Sequence, residues 1–174
     1  KNIDLDLKKI KLTLDPLKLK IYAKTVDTII YFSEEQFQLE YIKSEVSLIS
    51  FIKKKIISSN IEIKTNSLSL KNLIKFIRSS NNKPQIFILE KIVKKGHIFL
   101  DLRLNIDDNG NVKNDYEIRG FIKDATVKFL NQEKLENISF NFNLKHNNYL
   151  LRELMFKTQK VNFIAEKINI NRKN

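Results

Sequence analysis

The stretch Ile98-Phe99-Leu100-Asp101-Leu102-Arg103-Leu104-Asn105-Ile106, followed at once by Asp107-Asp108-Asn109-Gly110, decides the fold. Every second residue is aliphatic over nine positions, the period of a strand that turns one face toward a core. Asn109-Gly110 tolerates the positive φ angles of tight hairpin turns, so the chain is expected to double back there. The return strand carries Val112, Tyr116, Ile118 and Ile122 on one face, against Lys113, Asp115, Glu117 and Arg119 on the other. Residues 96–122 therefore read as a long antiparallel hairpin.

The same period recurs in both directions. Upstream, Leu17, Leu19, Ile21 and Ala23 alternate with Lys18, Lys20, Tyr22 and Lys24. Phe37, Leu39 and Tyr41 alternate with Gln38 and Glu40, and Ile61 and Ile63 with Glu62 and Lys64. Downstream, strands are expected over 125–130, 138–144, 150–156 and 161–170. Helical spacing is confined to short pieces. Leu70, Leu73, Ile74 and Ile77 form one stripe, with Ser69 or Ser67 as the cap. Leu48, Ile49, Phe51 and Ile52 form a shorter stripe, with Lys53-Lys54-Lys55 suited to its last turn. Residues 85–95 read as strand because Ile86, Phe87, Ile88 and Val93 favour β structure. The expectation is a mainly β chain with a large antiparallel sheet of nine or ten strands and two short helices. It forms a single domain over residues 1–174, with a polar loop at 79–84 inside it.

Such a sheet has an apolar face that must be covered, and two short helices cover only part of it. Three solutions stay open: closure on itself, a second packed sheet, or a filled groove.

Chemistry-bearing patterns are missing. The three glycines, Gly96, Gly110 and Gly120, are too far apart to cradle a phosphate. No nucleophile elbow occurs, there is no cysteine, and His97 and His146 lack metal-ligand spacing. Asp107, Asp108 and Asp115 fail the calcium-loop pattern, and a hairpin turn accounts for them. No catalytic or metal residues are assigned, no cofactor is expected, and the chain reads as a non-enzyme. The net charge of +12 invites a nucleic-acid reading. However, 27 of the 32 basic residues are lysine, spread along strands, and only five are the arginines suited to bidentate recognition. Specific nucleic-acid binding is therefore not expected.

Several segments together resemble the AsmA-like superfamily, which includes TamB and the AsmA-type proteins of Gram-negative envelopes. They are Lys95-Gly96 entering a strand, the polar hairpin at Asp107-Asp-Asn-Gly, and the strand ending at Gly120. The alternation through Leu135-Glu-Asn-Ile-Ser-Phe-Asn-Phe and Ile168-Asn-Ile-Asn follows, and 14–19 looks like a strand entry of that superfamily. The resemblance implies a strongly curved, open, taco-shaped β-groove that shelters phospholipid acyl chains between inner and outer membranes. It implies a periplasmic segment of an inner-membrane-anchored envelope protein, touching membranes through parts outside this chain. Lining residues under that reading are Ile98, Leu100, Leu102, Leu104, Ile106, Ile118, Ile138, Phe140, Phe142 and Leu144. The opening on Lys1, directly in the alternation Ile3, Leu5, Leu7, fits a piece of a longer polypeptide. The competing expectation is a structural or interaction β-sandwich of a surface or periplasmic protein, with a self-packed core and no ligand.

Overall fold

In the computed structural model, residues 3–32, 35–49, 58–107, 109–129, 133–146 and 148–171 are described. The strands are β1 (Ile3–Asp6), β2 (Lys9–Asp15), β3 (Lys20–Val26), β4 (Ile29–Phe32), β5 (Glu35–Ser47), β6 (Ser58–Thr65) and β7 (Leu68–Ser69). Helices α1 (Leu70–Ser80) and α2 (Pro84–Ile92) follow. Then come β8 (Val93–Asn105), β9 (Glu117–Lys128), β10 (Lys134–Lys145), β11 (Asn148–Lys157) and β12 (Asn162–Asn171). All belong to one sheet, with the path β1-β4-β5-β6-β8-β9-β10-β11-β12, while β2 joins β3, β3 joins β5 and β7 joins β8. The mainly β antiparallel architecture thus follows the alternation read in the sequence.

The chain divides into two compact units, Lys1–Asn66 with Leu100–Ile118, and Ser67–Phe99 with Arg119–Asn174. In the first, the thirteen residues of β5 serve two partners. Its second half pairs β3, from Val26 opposite Tyr41 to Lys20 opposite Ser47, and its first half pairs β4. The switch lies at Asp27-Thr28, where Asp27 has φ 53° and the Leu39 N–H donates to the Thr28 carbonyl at 2.8 Å. Thr28 is fully buried because its hydroxyl finds the Thr25 hydroxyl at 2.9 Å. Phe32, Phe37, Leu39 and Thr65 are the other buried side chains among the described residues of this unit.

Residues 16–19 correct the expected strand over 17–24. The Asp15 side chain accepts the Lys18 N–H, Leu19 has φ 50°, and Leu17 is 95% exposed. Asp-Pro here starts a turn, and the alternating leucines ride on it; β3 begins only at Lys20.

The hairpin after β8 turns where expected. The Asp107 Oδ1 accepts the N–H groups of Asn109 and Asn111 at 2.9 and 2.8 Å, and Gly110 has φ 85°. Ile106 bridges Val112, a second turn intervenes, and regular pairing resumes at Glu117. The strand expected over 125–130 is the continuation of β9, which runs through Asp124 (φ 52°) to Lys128.

In the second unit the core lies under α1. Leu68, Ile74, Val93 and Ile98 are 5–7% exposed. Ser69 caps α1 as the sequence requires, accepting the Asn72 N–H. Residues 84–92 correct the strand expected over 85–95: Pro84 sits at the start of α2, where its fixed φ and missing N–H suit a first helical turn. That local start overrides the β preference of Ile86, Phe87 and Ile88, and the strand begins at Val93. Of the other expected helix, Leu48 and Ile49 are helical, while 50–57 lie outside the described residues.

Two glycines have steric reasons. A Cβ on Gly96 (φ 140°) would lie 2.7 Å from the Ala125 Cβ, and one on Gly120 would lie 2.3 Å from the Phe142 ring and 2.5 Å from the Phe99 carbonyl oxygen. Strands approach too closely there for any side chain.

Candidate functional site

Cross-strand partners project to the same side of a sheet, so the pairing register assigns the faces. In the first unit three apolar rows emerge. Leu14 stands opposite Ile21, which stands opposite Val46. Leu12 continues through Ala23, Ser44 and Ile61 to Leu104, and Ile10 through Thr25, Ile42 and Ile63 to Leu102. None of these side chains is buried. Ile10, Leu12 and Leu14 are 57–67% exposed, and the rest are half-buried. Among the described residues, every member of this five-strand apolar surface keeps part of its side chain exposed.

The reverse side of the same strands is mostly polar: Lys11, Lys24, Lys43, Glu62 and Arg103 form one row, and three of the lysines on this side meet glutamates. Lys20 meets Glu45 at 2.5 Å, Lys64 meets Glu40 at 2.7 Å and Lys43 meets Glu62 at 3.7 Å. Lys24 sits over the Tyr41 ring. The hydrogen bond that the Lys20 ammonium donates to Glu45 is the main cause that raises the Lys20 pKa, and the bond from Lys64 to Glu40 does the same for Lys64.

The second unit repeats the pattern. Leu144 stands opposite Tyr149 and then Ile170, and Phe142 opposite Leu151 and then Ile168. The β11–β12 ladder keeps one register throughout, so Met155 with Ile164 continues this side, while Leu154 with Ala165 and Phe156 with Phe163, the two rings stacked at 4.7 Å, lie on the side of Arg152 and Lys167. None of these is buried. Asn141, Arg152 and Lys167 form one row of the other side. There a shallow depression of about 450 Å³ includes Arg119, Asn141, Arg152 and Glu153, with the Asn141 amide donating to Glu153 at 2.7 Å. An arginine pair beside a glutamate is a mixed-charge surface with no nucleophile.

The ten lining residues fall in several places. Leu102 and Leu104 close the rows of the first unit, and Leu100, its N–H on the Thr65 hydroxyl at 2.9 Å, is half-buried beside them in sequence. Ile98 belongs to the packed core under α1. Ile106 lies at the hairpin bridge and Ile118 at the start of β9. Ile138, Phe140, Phe142 and Leu144 lie on β10, all half-buried, with the rings of Phe140 and Phe142 6.1 Å apart. The residues that the sequence reading passed over are Ile10, Leu12 and Leu14, together with the β11 and β12 members Leu151, Ile168 and Ile170. The signal of the first three was present in Lys9-Ile10-Lys11-Leu12-Thr13-Leu14, an uninterrupted alternation.

Among the described residues no group of three His, Cys, Asp or Glu side chains could hold a metal ion. His97 is exposed, its Nδ1 3.3 Å from the Ser67 hydroxyl. The Asp107 carboxylate is occupied by its turn: the Asn111 N–H is the main cause that lowers its pKa. Among the described residues no helix is long and apolar enough to cross a membrane. No family model, no curated protein and no solved structure matches this chain.

Proposed function

We propose that this chain is a segment of a bacterial envelope protein that shelters phospholipid acyl chains in an apolar β-groove, on a path between inner and outer membranes. In this reading it is a non-enzymatic, periplasmic, AsmA-like segment of a protein anchored in the inner membrane by parts outside this chain. The observation that carries it is the set of aliphatic rows, such as Ile10-Thr25-Ile42-Ile63-Leu102, none of whose members is buried. A self-packed sandwich would seal such rows against a second sheet. Curvature into a groove is supported by residues with positive φ at register shifts. Asn137 (φ 53°) and Glu153 (φ 54°) fall where the β10–β11 ladder slips, and bulges of this kind bend strands.

The energetics account for the plain chemistry of the lining. Each methylene moved from water into an apolar setting is worth about 0.8 kcal/mol, so one acyl chain crossing water costs on the order of 11 kcal/mol. A continuous apolar floor removes most of that barrier without binding tightly at any one position. Generic Ile, Leu and Phe serve for this, and catalytic groups have no part in it.

The test is co-purification. Wild type is purified from membranes-containing lysate and its bound lipid counted by native mass spectrometry, beside Leu102→Asp and Phe142→Lys. The reading expects phospholipid on wild type, and folded variants that carry much less, because a charge in the path must be desolvated. A wild type that carries no lipid, with both variants unfolded, would contradict it in favour of a sealed interior.

A further inference from the structure

Helix α2 has a composition that solvent does not explain. Its sequence Pro84-Gln-Ile-Phe-Ile-Leu-Glu-Lys-Ile92 is apolar on nearly every side, and a helix of that kind belongs in a core or in lipid. Yet none of its residues is buried. Phe87, Ile88 and Leu89 are 46%, 54% and 41% exposed, and Ile77 of the adjoining α1 is 37% exposed.

The charge around it is one-sided. The hairpin, residues 70–92, holds five basic residues (Lys71, Lys75, Arg78, Lys83 and Lys91) and one acidic residue, Glu90, and Lys94 and Lys95 follow at the start of β8. The whole chain holds 32 against 20, so the hairpin is far more basic than its surroundings. Glu90 is bonded to Arg78. The Arg78 guanidinium lies 4.8 Å and the Lys91 ammonium 5.4 Å from the centre of the Phe87 ring. Lys94 donates to the Lys91 carbonyl at 2.7 Å, which puts a further cation at the helix end. An exposed aromatic and aliphatic surface rimmed by cations matches the boundary between acyl chains and anionic headgroups.

We propose that the α1–α2 hairpin docks the chain on an anionic bilayer, with Phe87, Ile88 and Leu89 entering the headgroup–acyl boundary and Arg78, Lys83 and Lys91 at the phosphates. The proposal does not depend on lipid entering the apolar strand rows. It gives this chain a membrane contact of its own.

Flotation of the 174-residue chain with vesicles tests this. Vesicles of phosphatidylcholine with roughly one-third phosphatidylglycerol are compared with pure phosphatidylcholine. Wild type is expected to float with the anionic vesicles and little with the neutral ones. Ile88→Asn with Leu89→Asn should weaken binding about tenfold or more, since two aliphatic side chains no longer leave water. Lys83→Glu with Lys91→Glu should abolish the preference for anionic vesicles. Ile164→Asn, at an exposed apolar position on β12, should bind as wild type does. Circular dichroism confirms folding of each variant, which the exposure of all five positions favours. Failure of wild type to float, undiminished flotation of the Ile88/Leu89 variant, or an equal loss in Ile164→Asn would overturn the proposal. So would a concentration-dependent mass that the Ile88/Leu89 changes abolish without changing flotation, which would make the surface a contact between copies. Because flotation is read on intact vesicles, a chain that floats but carries no lipid sinks only the groove reading. A chain that carries lipid but does not float sinks only this one.

Discussion

Ile98 and Ile10 are the same residue type, each in a strand whose aliphatic positions alternate with polar ones. Ile98 is 5% exposed and Ile10 is 59% exposed. The difference is what lies over them. Ile98 belongs with Leu68, Val93 and the α1 residue Ile74, a set in which helix and strands bury one another. Ile10 belongs to a row that runs across five strands with no buried member. Period-two alternation thus specifies that a strand has an apolar side; whether that side is covered depends on elements far away in the chain.

The largest predicted effect sharpens this contrast. Ile98→Asp places an unpaired charge in the packed patch and should destabilise by on the order of 4 kcal/mol. Leu12→Asp, on an exposed row, should stay within about 1 kcal/mol of wild type. Urea unfolding midpoints read both, and equal losses would erase the distinction between covered and open faces.

A smaller effect separates the glycines. Gly96→Ala combines a strained φ with a clash against the Ala125 backbone and should cost about 2–3 kcal/mol. Gly110→Ala meets no atom within 4 Å and retains only the φ penalty, about 1 kcal/mol. Thermal unfolding that ranks them in reverse would refute the close strand approach at Ala125. At a similar level, Ser69→Ala removes the α1 cap and should cost about 1 kcal/mol, seen in the same melts.

The smallest effect is a titration. The turn N–H groups favour the charged form of Asp107, so its folded pKa lies below that of the unfolded chain. Its contribution to stability is therefore present above the ordinary aspartate range and is lost as pH falls through the lowered value. Amide shifts of Asn109 and Asn111, followed by NMR, should move only below the pH at which a free aspartate titrates. Movement at the ordinary aspartate pH would mean the carboxylate does not hold the turn.

Much of this was legible in the residues. The β8 strand, its turn at Asn109-Gly110, the Ser69 cap and the strands on either side of Lys145 are local features. Periodicity and turn chemistry determine them within a few residues. Two segments misled for opposite reasons. At Asp15-Pro16 the alternating Leu17 and Leu19 suggested a strand, but the Asx turn and a positive φ at Leu19 prevailed. At Pro84 the β-favouring Ile86, Phe87 and Ile88 suggested a strand, but a helix start prevailed. The apolar site was legible only in part. The alternation marks Leu102 or Phe142, whereas membership of one row with Ile10 or Ile168 follows from pairing between distant strands. The basic clustering of the α1–α2 hairpin was visible in the residues themselves.

The central claim is that acyl chains lie on the open apolar rows, and crosslinking tests it most directly. A phospholipid with a photoreactive group near the end of its acyl chain is loaded onto the chain, irradiated, and its attachment sites are mapped by peptide mass spectrometry. The account predicts labels on Leu12, Ile63, Leu102 and Leu151, and none on Lys43, Glu62 or Arg103 of the reverse side. Labels spread equally over both sides, or no labelling at all under conditions that label a known acyl-chain binder, would contradict it.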